Sequence, residues 1–288
     1  MNRYNQIEEQ ANLGFAPDSS FPLTYAEKGL LQVKLHGPGW DDLPLQAGQA
    51  LNVVPDKATY AGHRLEELLP VLDQSGVQYS QTENSVTVLG VSMHSKDAAE
   101  GVNAIVGLAE SLSLIQPHPA LLFIADAVGE DATGAALFGE IKDEPSGDLS
   151  FNLATLVIDQ EQSEIGIDIR IPVLADKDAL VARLQEIAAS YQLEYEEFDY
   201  LAPLYVPLDS PLVSSLMAVY QEETGDKTPA MSSGGATFAR TMENCVAFGA
   251  LFPGAEQTEH QANERAKIED LYAAMEIYRE AIQRLATI

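Results

Sequence analysis

Apolar positions recur along this chain at two periods, and the switches between the periods outline its elements. A spacing of three and four puts a stripe on one face of a helix, whereas alternation makes one face of a strand. In EIGIDIRIPV, the alternation of Ile165, Ile167, Ile169 and Ile171 predicts a strand from Glu164 to Pro172, with Arg170 on the opposite face. Asp148 to Ile158 predicts its partner across a polar turn. Leu30 to Leu35 and Gln49 to Pro55 (QALNVVP) predict earlier strands, and Val77 to Gln81 with Ser85 to Val91 a hairpin around Glu83-Asn84. Leu13 to Pro17, Leu193 to Phe198 and Leu204 to Val206 read as short strands. Cys245 to Phe252 is apolar throughout and predicts a buried strand stopped by Pro253-Gly254.

Helical character appears in seven places. Residues 3–11 read as the tail of a helix. His63 to Gln74 carries Leu65, Leu68, Leu69 and Leu72 on one face, and Pro70 predicts a kink or an early stop. Ala98 to Ile115 reads as one helix burying Val102, Ile105, Val106, Ala109 and Leu112. Asp178 to Tyr191 follows Asp176, a side chain suited to an N-cap. A helix starts at Asp209-Ser210-Pro211, with proline near its first position, and ends at Gly225. The last helix runs from Ile268 to Ala286. Residues 120–145 read as helical and then loose, because Gly129, Gly134 and Gly139 weaken a helix. Together these elements predict a mixed α+β / α/β fold.

The chain has 288 residues and is 46% hydrophobic, enough for one large or two ordinary domains with a real core. Its formal net charge of −28 opposes binding to nucleic acid or to an anionic membrane, since both need a basic footprint. The single cysteine, Cys245, excludes an internal disulfide and suits a reducing compartment. The opening MNRYNQIEEQ lacks the apolar core of a signal peptide, and no later apolar run is long enough to span a bilayer. A cytoplasmic location is therefore expected.

Candidate chemistry concentrates between Ser232 and Glu264. Ser233-Gly234-Gly235 suits a tight turn whose backbone N–H groups can approach an anion, because glycine has no Cβ in the way. His260 lies in a polar loop just past a predicted strand end, where ligands of α/β sheets bind. Taken alone, Asp18 in its Ser-rich turn reads as an Asx-turn former. Arg170 alone reads as a surface ion-pair partner, and His94, ahead of a predicted helix, as a solvent-facing or capping histidine.

The segments GGATFAR, VAFGALFPG and HQANE, together with Gly14-Phe15-Ala16-Pro17-Asp18, Phe21-Pro22 and Glu27-Lys28-Gly29, resemble the PepV-type dipeptidases of the aminoacylase/carnosinase superfamily. These are metallopeptidases with two catalytic zinc ions, and the resemblance covers nearly the whole chain. It implies a partial zinc-peptidase catalytic domain, an α/β sheet, formed by residues 1–28 and 199–288, with an α+β lid inserted at 29–198. It implies that Asp18 and His260 are zinc ligands, each for a different ion. It further implies that Asn52, His94 and Arg170 close over the dipeptide from the lid. His94 would polarise the scissile carbonyl and Arg170 would pair with the free carboxylate, a task suited to a bidentate guanidinium. Ser233, Gly234 and Gly235 would offer backbone donors to the same substrate. Arg240 and Glu264 would orient that loop.

The family's remaining zinc groups, a His-x-Asp motif, a bridging Asp and a Glu-Glu pair, have no counterpart here. No His-x-Asp occurs in the sequence, and Glu8-Glu9 lies too close to Asp18 to serve as the pair. Two readings stand side by side. One is a zinc dipeptidase in truncated form, inactive alone, whether from a split gene or a frameshifted remnant. The other is a non-catalytic peptide-binding protein, or a half that pairs with a separate N-terminal chain. Either leaves strand edges near 13–17 and 245–252 in want of a partner or of self-association.

Overall fold

The computed structural model describes residues 2–9, 11–256, 258 and 262–288. The chain divides into two compact units, Met1–Lys28 with Ala202–Ile288, and Gly29–Leu201. No helix among the described residues is long and apolar enough to cross a membrane.

In the unit Gly29–Leu201, eight strands among the described residues form one sheet. Their spatial order is Glu194–Leu201, Gly29–Pro38, Gln162–Ile171, Ser150–Ile158, Leu45–Ala47, Lys57–Tyr60, Val86–Leu89, Tyr79–Gln81. Every neighbouring pair is antiparallel. The longest ladder runs from Gly29↔Ile171 to Pro38↔Gln162 and puts Leu31, Val33 and Leu35 opposite Ile169, Ile167 and Ile165. These six side chains share one face and one core with Leu68, Leu72, Ile105, Leu112, Leu184 and Ala188 from the helices Leu65–Ser75, Ala104–Ser113 and Lys177–Ser190. The opposite face is polar. At one end Lys34 pairs with Glu164 at 3.1 Å and His36 with Glu196 at 2.7 Å.

Two expected elements differ. Gln49 to Pro55 is not a strand. The chain leaves the sheet at Gly48, whose φ of +79° favours glycine, and only Val53 makes an isolated bridge, to His94. The helix expected from Ala98 to Ile115 is two pieces, a 3₁₀ turn Ser95–Glu100 and the α-helix Ala104–Ser113. Asn103 separates them, its side chain accepting from Ile105 N and Val106 N as an N-cap, and Val102 is 54% exposed instead of buried. Pro70 neither stops its helix nor shortens it. Residues 119–138 form the short helices Pro119–Leu122 and Ala135–Phe138 around a π-helical turn, Phe123–Val128.

In the other unit a five-stranded sheet has the path Gly14–Ala16, Cys245–Ala247, Thr24–Glu27, Leu204–Tyr205, with Met231–Ser233 also pairing parallel to Thr24–Glu27. The first two strands run parallel, Phe15 opposite Val246. The expected strand Cys245 to Phe252 is broken at Gly249. Its φ is +69°, and a Cβ there would lie 2.4 Å from the Phe21 ring. The chain resumes as Ala250–Leu251, paired with Ser19–Ser20. Cys245–Ala247 is therefore flanked on both sides, and Gly14–Ala16 is the edge. Phe15 stacks on Tyr278 of the helix Ile268–Leu285 with centroids 5.4 Å apart, and Phe21 on Tyr220 of the helix Pro211–Thr224 at 5.3 Å.

Candidate functional site

Asn52, His94 and Arg170 are far apart in sequence, yet the unit Gly29–Leu201 joins them on its polar face. Strand register comes first: Ser150 lies opposite Arg170, and Asn152 opposite Asp168. Because side chains alternate along a strand, these four project to the face away from the apolar core. Arg170 is 5% exposed and Asp168 fully buried. Arg170 donates from Nε to Asp168 Oδ1 at 2.6 Å and from Nη2 to Asp168 Oδ2 at 3.2 Å, a bidentate pair. Gln32 Nε2 also donates to Asp168 Oδ2, at 3.0 Å.

Two irregular segments lie over this buried layer. Asn152 Nδ2 donates to Leu51 O and to Val53 O, both at 3.0 Å, so one carboxamide holds the carbonyls on either side of Asn52. Ser95 N donates to Asn52 O at 2.9 Å, and Val53 bridges His94. Ser95 Oγ accepts from Arg170 Nη2 at 3.0 Å, while Ser150 Oγ donates to Ser95 O. The residue next to His94 thus touches the guanidinium, the Asn52 backbone and the sheet at once.

The His94 ring is solvent-exposed along part of its surface, and its Nδ1 accepts from Lys96 N at 3.1 Å. The neutral ring therefore carries its proton on Nε2, which leaves that edge as a donor. Desolvation first, then the positive charges of Arg170 and Lys96, hold its pKa below the ordinary imidazole value, against the opposing pull of Asp168 and Asp97. A neutral donor at neutral pH is the result. A cleft of about 370 Å³ in the same unit is lined by Val54, Gly101, Asn103, Asp131, Phe151 and Asn152 among others, but not by Asn52, His94 or Arg170.

The remaining candidates belong to the other unit. Glu27 is fully buried and accepts from Thr237 N at 3.0 Å, Thr237 Oγ1 at 2.6 Å and Arg240 Nε at 2.8 Å. Arg240 also donates to Gly235 O at 2.8 Å, to Ala202 O at 2.7 Å and to Lys28 O. This pair fastens the glycine turn to the end of the strand Thr24–Glu27. Within the turn, Gly235 N donates to Ser233 Oγ at 3.0 Å, so that N–H serves the turn itself. Gly234 lies in the same bend, half-buried. Asp18 reaches this loop as well, its Oδ2 accepting from Phe238 N at 3.1 Å while the side chain stays exposed.

His260 lies outside the described residues. Among the described residues no three His, Cys, Asp or Glu side chains gather to hold a metal ion. Catalytic zinc takes about three protein ligands. Of the two ligand candidates only Asp18 is described, and the described residues do not gather such a set around it.

Ser95, Asn152 and Asp168 carried no expectation from the sequence, and Glu27 stood only within the motif Glu27-Lys28-Gly29, without a role. Polar residues inside otherwise apolar strands, Asn152 in SFNLATLVI and Asp168 in EIGIDIRI, were the available signal. Their partners depend on register, which spacing does not reveal.

The chain is thus mixed α/β in two units, one of which joins the segments of Asn52 and His94 to the buried Arg170. Residues 90–284 match the model of peptidase family M20/M25/M40, more than half of the chain, and the chain belongs to that family. "Putative dipeptidase YtjP" of Bacillus subtilis (strain 168) is 34% identical over 311 residues, covering 99% of this chain and 66% of that protein. "Putative dipeptidase MW1694" of Staphylococcus aureus (strain MW2) is 31% identical over 309 residues, with the same coverage of 99% and 66%. The chain thus spans 66% of the length of these curated relatives. Among solved structures, the aminoacylhistidine dipeptidase from Vibrio alginolyticus has a TM-score of 0.52 at 10% identity, covering 94% of this chain and 65% of that one, a likeness of fold.

Proposed function

We propose that this chain carries the substrate-recognition part of a dipeptidase of the M20 family, and that it does not by itself hydrolyse dipeptides. The unit Gly29–Leu201 acts as the lid and the other unit as part of the catalytic domain. The observation that supports this most is the joining of Asn52, His94 and Arg170 through Ser95 on one sheet face. The relatives named as putative dipeptidases support a dipeptide as the ligand, and the resemblance to PepV-type enzymes implies a free N-terminus on it.

The chemistry follows from the geometry. Arg170 is held by Asp168 and Ser95, so its orientation is fixed before a ligand arrives, and a peptide carboxylate would share it with Asp168. His94 presents Nε2–H as a neutral donor toward a carbonyl oxygen. Such a bond strengthens as negative charge develops there, which is the basis of oxyanion stabilisation. The carbonyl side of Asn52 is bound to Ser95 N, which leaves its side chain, exposed in the unit, for the ligand.

In PepV-type enzymes zinc supplies the attacking water, and Asp18 and His260 match two of its ligands there. No His-x-Asp occurs in the sequence, and nothing in it matches the family's acidic pair, from which the proton acceptor for that water would come. The reading of a peptide-binding protein without catalysis rests on the same site and differs only in turnover. A calorimetric titration with the dipeptide Ala-Ala tests recognition. Binding should weaken about tenfold or more, roughly 1.4 kcal/mol, in His94→Gln and in Arg170→Met. Binding that survives both substitutions unchanged would place recognition elsewhere.

A further inference from the structure

Several features of the buried layer under Asn52 and His94 do not serve packing. Asn152 is 1% exposed and sits in a strand whose neighbours are apolar, yet its carboxamide spends both amide hydrogens on the carbonyls of Leu51 and Val53. Those carbonyls fix the orientation of the side chain, since a flipped amide would aim an acceptor at two acceptors. Its Oδ1 then has no hydrogen-bond partner. A buried acceptor without a partner costs stability, and an apolar residue of similar shape would avoid that cost. Ser95 is fully buried and uses its N–H, its hydroxyl and its carbonyl on three different segments. The bonds of these two residues converge on the backbone of residues 51–53 and 94–95, the stretches that carry Asn52 and His94.

We propose that Ser95 and Asn152 are positioning residues that lock the Asn52 and His94 segments to the strand carrying Arg170, so that the three recognition groups form one preorganised platform. Asn152 fixes the first segment from below, at both sides of Asn52. Ser95 ties the second segment to Arg170 through its hydroxyl, while its backbone N–H, which alanine would also supply, holds Asn52 O. The Val53–His94 bridge is made of the backbone bonds from Ser95 N to Asn52 O and from Val54 N to Met93 O, which tie the two segments to each other, while the Asn152 carboxamide and the Ser95 and Ser150 hydroxyls tie them to the strands beneath. A recognition group that wanders by an ångström loses much of its value, which is why a rigid support beneath it matters.

The proposal rests on the assignment of Asn52, His94 and Arg170 to peptide recognition, and its test separates the two. Ser95→Ala, Ser150→Ala and Asn152→Leu are made in the full chain, with Ser163→Ala as a control. Ser163 is equally buried in the strand Gln162–Ile171, where it lies opposite Ile158 and Gly37. The readout is the His94 ring by ¹⁵N NMR across pH, assigned with His94→Gln, alongside a thermal melt. In the parent and in Ser163→Ala the neutral ring should show one tautomer, protonated on Nε2. In folded Ser95→Ala and Asn152→Leu it should become a tautomer mixture, and its pKa should rise toward the ordinary value as the ring gains water. Ala-Ala affinity should fall about tenfold in the same two variants. An unchanged ring in the folded variants overturns the proposal. Failure of all three to fold also overturns it, because the groups would then serve the core and not the platform. If the ring responds but the parent binds no Ala-Ala, positioning stands and the recognition reading falls.

Discussion

At the scale of single residues, two buried carboxylates organise the molecule, one in each unit. Asp168 orients Arg170, and Glu27 orients Arg240. Removing one partner of such a pair strands a buried charge, which costs far more than the pair itself contributes. Arg240→Met should therefore destabilise its unit by about 3–5 kcal/mol in urea denaturation, whereas the exposed pair Arg279–Glu276 should contribute almost nothing. Histidines set the acid limit. Burial holds His118 below the ordinary imidazole value, as desolvation does His94, and the buried His118 ring donates to Pro38 O while accepting from Ala120 N. With folded pKa values depressed, the unfolded chain takes up protons first. Stability should be full above the ordinary value of 6.5 and decline as pH falls through it toward the lower folded values. Denaturation curves at a series of pH values check this, and His118→Asn should flatten the decline. Arg170, His94 and Asn52 became candidates only through the family resemblance, and spacing alone gave no reason to group them. Their supports were not legible, since a buried serine or asparagine in a strand looks like any other polar interruption until register is known.

At the scale of elements, long apolar periodicity was read well and local breaks were not. The alternation in EIGIDIRIPV and the leucine stripe after His63 are strong signals, and both elements formed within a few residues of the expected limits. The split of the helix at Gly101–Asn103 was hidden because Val102 fits the helical stripe, although it is exposed. Asn103 is the decisive residue: it caps Ile105 and Val106, and its Nδ2 donates to Leu153 O at 2.7 Å. Asn103→Ala should cost about 1–2 kcal/mol by loss of the cap alone. A melt showing no loss of stability would mean that the helix starts elsewhere. The break of the apolar run at Gly249 had a visible cue in the glycine, but the Phe21 ring that forbids a side chain there is a tertiary contact.

At the scale of the whole molecule, composition fixed the broad limits and the fold supplied the rest. A charge of −28 sets the surface, and its acidic residues gather on strands such as Glu194–Leu201, an edge of the eight-stranded sheet. Charged edges resist pairing with another chain. The helix Ile268–Leu285 leaves Ile268, Leu271, Tyr272, Met275 and Ile282 exposed along one stripe, while Ala274, Ile277 and Ala281 are buried. The mixed α/β character followed from the order of elements, whereas the place of His260 lies outside the described residues. The central proposal is that this chain recognises dipeptides and does not hydrolyse them by itself. The most direct test is zinc titration of the purified chain by calorimetry, followed by an Ala-Ala hydrolysis assay on the same sample. No micromolar zinc binding and no turnover is the expected result; stoichiometric zinc with measurable hydrolysis would contradict it.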